Sequence, residues 1–80
     1  MTTSRTISLD QLPPGGQAVV RRLTGGRELA GRLCTLGLVA GASLKMLQNP
    51  GRGPLLVSVH DTRIALGRGE AAKVLVEPFA

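Results

Sequence analysis

The stretch Leu33–Gly41, LCTLGLVAG, constrains this chain more than any other. Leu29, Leu33 and Leu36 fall at i, i+4 and i+7, one face of a helix that starts at Arg27 and runs for about ten residues. Gly31 is a weak point inside it. Gly37 follows the last leucine of that face. It takes the C′ position, where a left-handed backbone is wanted and glycine adopts it without a Cβ clash. Leu38 then occupies C″, placed for a contact back to Leu33 that completes a Schellman-type cap. Gly41 is the turn residue of VAGA, just ahead of the next strand. One glycine stops a helix and the other starts a sheet. A phosphate-cradling loop would set its glycines before a helix, at the amide end, and these come after one.

Around this helix the chain reads as short strands cut by breakers. Ile7, Leu9 and Leu12 form an apolar N-terminal segment, which Pro13-Pro14-Gly15-Gly16 interrupts. Gln17–Leu23, QAVVRRL, is a first strand, and Thr24 is a candidate cap for the helix beyond Gly25-Gly26. Ser43–Gln48 is a second strand with Leu44 and Met46 on one face. NPGRGP, 49–54, is a loop. Leu55–His60 is a third strand with Leu55, Val57 and Val59 inward. Asp61-Thr62 is a two-residue turn, since Asp tolerates positive φ. Arg63–Leu66 is a fourth strand with Ile64 and Leu66 inward. GRGEAA holds a helical turn. Lys73–Glu77 is the last strand, with Val74 and Val76 inward and Pro78 ending it.

The expected fold is mainly β: a small five-stranded barrel with one short α-helix between strands one and two. The helix closes one end by inserting Leu29, Leu33 and Leu36. Thirteen Leu, seven Val and two Ile against a single Phe, with eleven Gly, suit such a barrel. The 80 residues make one domain, 1–80, with an ordered core of about 7–77. Met1 and the short tail fit a complete small subunit.

Strict alternation puts Leu47, Leu56 and Leu75 on the outside. Three outward leucines on three strands form an apolar interface patch, or else the register slips, a bulge intervenes, or the N-terminal segment covers them.

Little in the sequence offers chemistry. Cys34, with His60 and Asp61, is the one conceivable nucleophilic constellation, and Cys34 reads better as a small helix residue. His60–Asp61 is the one conceivable metal contact, and no ligand cluster has metal-site spacing. No catalytic residue, metal ligand or cofactor site is expected. A single cysteine excludes an internal disulfide and fits a reducing compartment. The first residues lack an apolar core for a signal peptide, and the uncharged run Leu33–Leu44 is far short of the ~20 apolar residues of a membrane span. The expected location is the cytoplasm. The net charge of +5 favours acidic partners. Base stacking on single strands needs aromatic platforms, which this chain lacks apart from Phe79, so nucleic acid is not the expected partner. An SH3-like RNA- or ribosome-binding module, contacting phosphates through Arg21, Arg22, Arg52 and Arg68, is the alternative. Exposed strand edges leave self-pairing open.

LDQLPPGGQAVVRRLTG, LCTLGLVAGASLKML and GRGPLLVSVHDTRIALGRGEAAKVLVE together resemble the FeoA family, from about Ile7 to Glu77. The Leu-x-x-Leu-Gly-Leu-x-x-Gly run Leu33, Leu36, Gly37, Leu38, Gly41 is the most specific piece. The resemblance implies an SH3-like barrel, similar also to the C-terminal domain of DtxR-type iron-dependent repressors. It implies a non-enzymatic partner of FeoB, a membrane iron(II) transporter with a cytoplasmic GTP-binding domain, and membrane association only through that partner. It supplies no catalytic positions. The family usually has a glycine in the turn where this chain has His60-Asp61-Thr62. On this reading Leu47, Leu56 and Leu75, with Arg32 and Lys45, are the expected contact residues.

Overall fold

The alternation of aliphatic residues fixes which face of each strand turns inward. The structure, a computed structural model, describes residues 5–79. Its elements are β1 (Ile7–Ser8), a 3-10 turn (Leu9–Gln11), β2 (Gln17–Leu23), α1 (Arg27–Thr35), β3 (Ser43–Gln48), β4 (Leu55–Val59), β5 (Thr62–Leu66), α2 (Arg68–Ala71) and β6 (Val74–Phe79). The strands form one antiparallel sheet in the order β1-β6-β2-β3-β4-β5. The inward residues Leu44, Met46, Leu55, Val57, Val59, Ile64, Leu66, Val74 and Val76 are all buried, as the alternation requires. Each such side chain stabilises the fold by roughly 1.5–3 kcal/mol relative to exposure.

The described residues form six strands rather than five. The N-terminal apolar segment supplies the additional one: Ile7 pairs with Val76 and Ser8 with Leu75. Leu9 and Leu12 then turn fully into the core. The breaker that follows is a turn in which Gly16 N–H donates to the Pro13 carbonyl at 2.9 Å. Pro14 presets φ at the first corner and Gly15, at φ +84°, takes the left-handed second corner. The loop is laced to β3, since Gly15 N–H donates to the Met46 carbonyl and Met46 N–H to the Gly16 carbonyl, each at 2.8 Å.

α1 ends as its sequence dictates. Gly37 has φ +94°. Its N–H donates to the Cys34 carbonyl and that of Leu38 to the Leu33 carbonyl, both at 2.9 Å. These are the two bonds of the Schellman cap. Leu33 and Leu38 are both fully buried. Ala42 N–H donates to the Val39 carbonyl at 3.0 Å, closing the VAGA turn around Gly41 at φ +93°.

Four expectations change. Leu36 does not insert: it is 42% exposed, Leu29 is half-buried, and Leu33 alone of the three is fully buried. The chain reverses at Gly37, so Leu38 enters the core in place of Leu36. Thr24 does not cap α1, whose N-cap is Gly26. The Thr24 hydroxyl donates to the Lys73 carbonyl at 3.0 Å instead, tying β2 to the start of β6. The two-residue turn is His60-Asp61, at φ 51° and 63°, with Val59 paired to Thr62. Positive φ at both corners is the type I′ geometry that matches strand twist. Finally, Pro78 lies inside β6, paired with Ala18. β1 reaches only as far as Val76 on the other side of β6, so Pro78 is paired on one edge alone, where a missing N–H is tolerated.

Candidate interaction face

The strand registers carry one row of residues across five strands. Phe79 pairs with Gln17, Gln17 with Lys45, Lys45 with Ser58 and Ser58 with Arg63. Directly paired residues share a face, so all five lie on the outer side of the sheet. Phe79 is 42% exposed; Gln17, Lys45 and Arg63 are also exposed and Ser58 is half-buried. Beside the row is an open recess of about 420 Å³ lined by Gln17, Ser43, Lys45, Ser58, His60 and Asp61, among others.

Among the described residues, Lys45 and Arg63 make no ion pair or side-chain hydrogen bond. Three of the other cations are occupied. Arg21 Nε donates to Glu77 Oε1 at 2.8 Å. Arg32 pairs with Glu70, whose other oxygen accepts the Gly67 N–H at 3.1 Å, so one carboxylate caps α2 and ties it to α1. Arg68 donates to Asn49 Oδ1 at 2.7 Å and to the Gly53 carbonyl at 3.3 Å.

Of the residues expected to meet a partner, Lys45 stands in the outer row and Arg32 is engaged with Glu70. Leu47, Leu56 and Leu75 are each half-buried. Leu47 sits at a bulge, where Met46 pairs with Val57 but Gln48 with Leu56. Leu75 lies on β6, separated from β3 and β4 by β2, and faces Arg22. In the sheet order Leu75 thus stands two strands from Leu47 and three from Leu56. Among the described residues the exposed large apolar side chains are Leu36, Val39 and Phe79. The first two belong to the LCTLGLVAG stretch, where they lie at the end of α1 near the β4–β5 hairpin: a Cβ built on Gly37 would stand 3.4 Å from His60 Cδ2.

Cys34 is exposed on α1, and no hydrogen bond links it to His60 or Asp61 among the described residues. The described residues hold no group of three or more His, Cys, Asp or Glu placed to bind a metal ion. No helix among them is long and apolar enough to cross a membrane.

Sequence reasoning missed Asn49. Its Nδ2 donates to the carbonyls of Asp10 and Leu12, both at 2.9 Å, and its Oδ1 accepts from Arg68. The only sequence signal was its position as the first residue of the NPGRGP loop, where Asn often bonds nearby backbone.

Comparison with known proteins agrees with this architecture. A protein of Methanocaldococcus jannaschii named for Fe(2+) transport as protein A is 35% identical over 63 residues, covering 79% of this chain and 76% of its own. An Fe(2+) transport protein A/Fe(2+) transporter FeoB fusion protein of Porphyromonas gingivalis is 34% identical over 70 residues, which are 86% of this chain and 8% of that protein. A crystal structure of an iron uptake regulatory protein, FeoA, superposes with a TM-score of 0.90 at 31% identity, covering 94% of this chain and all of the other. Stenotrophomonas maltophilia FeoA, described as a procaryotic SH3 domain protein and solved with zinc, matches with a TM-score of 0.75 at 36% identity over 94% of this chain and 89% of its own. A manganese-dependent transcriptional repressor shares the fold, with a TM-score of 0.86 at 17% identity over 99% of this chain and 45% of its own. The fold is thus the SH3-like one expected, with one more strand. The FeoA domain matches residues 7–78, and the chain belongs to the FeoA family.

Proposed function

We propose that this protein is a non-enzymatic accessory of ferrous iron uptake that docks on the cytoplasmic face of a FeoB-type iron(II) transporter and regulates it. The observation that carries this reading is the Porphyromonas gingivalis relative, in which a segment similar to nearly all of this chain is joined to a FeoB transporter in one polypeptide. Fusion fixes two partners at high local concentration, which serves proteins that act together. The fold supplies a rigid display surface: a sheet with a fully apolar interior and exposed cations outside. The protein is then cytoplasmic and reaches the membrane only through its partner.

The test is capture of the transporter from the same organism, solubilised in detergent, by the tagged full-length chain, with total RNA offered in parallel across a salt series. Capture of the transporter that persists at moderate salt is expected. RNA capture that collapses with salt, with no transporter bound, would turn the reading toward a phosphate-contacting module.

A further inference from the structure

We propose that the outer face of β6 and β2–β5 is where an acidic segment of a protein partner docks, with one apolar residue on Phe79 and carboxylates on Lys45 and Arg63. This rests on the accessory reading and names the surface through which it works.

Three features of the face converge on that occupant. First, the row is spaced like a ruler. Adjacent strands lie ~4.8 Å apart, so Phe79 to Lys45 spans ~10 Å, Lys45 to Arg63 another ~10 Å, and the whole row ~19 Å. A segment in the polyproline-II conformation advances ~3.1 Å per residue with three residues per turn, so every third side chain lies on one side, ~9.3 Å from the next. A segment crossing the strands in that form meets the row with an apolar side chain at its first position and carboxylates at its fourth and seventh. Second, the charge is one-sided. Lys45 and Arg63 flank Ser58 without an acidic neighbour in the row. Arg21 and Arg32, by contrast, each hold a carboxylate of the same chain. A chain of net charge +5 also steers an acidic segment toward itself before contact.

Third, the recess beside Lys45 offers mostly donors. The Lys45 ammonium, the Gln17 amide and the Ser43 and Ser58 hydroxyls line it, with Asp61 the one acid there. Among the described residues none of these four donor side chains has a hydrogen-bond partner. A carboxylate accepts several such bonds at once and gains from the charged one. Phe79 at the far end gives the segment an apolar anchor. A second copy of this chain is a poor occupant, since it would bring +5 against +5.

The experiment uses the full chain, isotope-labelled, titrated with a seven-residue peptide carrying Leu at position one and Glu at positions four and seven. The same peptide with Gln in place of Glu, and inorganic phosphate, are the controls. Saturable amide shifts at Gln17, Lys45, Ser58 and Arg63 with the Glu peptide alone are expected. The double variant Lys45→Glu/Arg63→Glu, checked for a native spectrum, should weaken that binding about tenfold or more, and capture of the transporter with it. Shifts at other cations, no shifts, or equal shifts with phosphate would overturn the proposal. If wild type and the double variant capture the transporter equally, this face is wrong while the accessory role stands. If the peptide binds here and neither protein captures the transporter, the face stands and the accessory role falls.

Discussion

Asn49 and Arg68 are joined by a 2.7 Å hydrogen bond, and through Asn49 that bond reaches the carbonyls of Asp10 and Leu12. One amide thus clamps the N-terminal segment, the 49–54 loop and α2 together. Asn49→Asp keeps the shape and the bond to Arg68 but cannot donate to the two carbonyls. It should cost about 1–3 kcal/mol, the penalty for stranding partly buried acceptors. The urea midpoint reads this, and a midpoint equal to wild type would mean that water satisfies those carbonyls.

The correction at Leu36 has an energetic form. Leu33→Ala removes a fully buried side chain and should destabilise by about 2–5 kcal/mol, enough to unfold much of a domain this small. Leu36→Ala, at an exposed C-cap, should change stability by about 0.5 kcal/mol or less. Parallel denaturation curves of the two variants decide it. Similar losses would show that Leu36 packs after all.

Gly31 and Gly37 should respond in opposite directions to the same change. Gly31 lies inside α1, with nothing within 4 Å of a built Cβ. Gly31→Ala should raise stability by about 0.4–1 kcal/mol. Gly37→Ala puts a Cβ on a residue at φ +94° and should lower it by about 1–2 kcal/mol. For a domain of this length each kcal/mol moves Tm by roughly 4–8 °C, which thermal melts resolve.

The hairpin corner carries two non-glycine residues at positive φ. Asp61→Gly relieves one of them and should stabilise by up to about 1 kcal/mol, with His60 left in place beside Gly37. The unfolding midpoint should rise, and an unchanged value would show that Asp61 gains as much from its surroundings as its backbone costs.

What the sequence disclosed follows from pattern length. Five strands and the end of α1 were legible because each carries several residues of one period or a glycine that only one geometry explains. β1 was not, because two residues give no period; it became visible only as the partner of Val76 and Leu75. Leu36 was misread because helical spacing states which stripe a residue lies on, not whether anything stands opposite it. The hairpin slipped by one residue because Asp61 suits either corner assignment, and only the pairing of Val59 with Thr62 chooses. Of the outer row only Lys45 was singled out from the sequence; Gln17, Ser58 and Arg63 are unremarkable singly. Their alignment depends on four registers, two of whose ladders contain a bulge.

The sheet order has a consequence for how the protein is made. β6, synthesised last of the strands, lies between β1 and β2, the first two to be made. A nascent chain that has emerged only as far as α2 holds β1 without its partner and β2 with one flank open. β2 to β5 pair in chain order, but the sheet is completed only when β6 slides into the slot between β1 and β2. Only β6 closes it, like a clasp between β1 and β2.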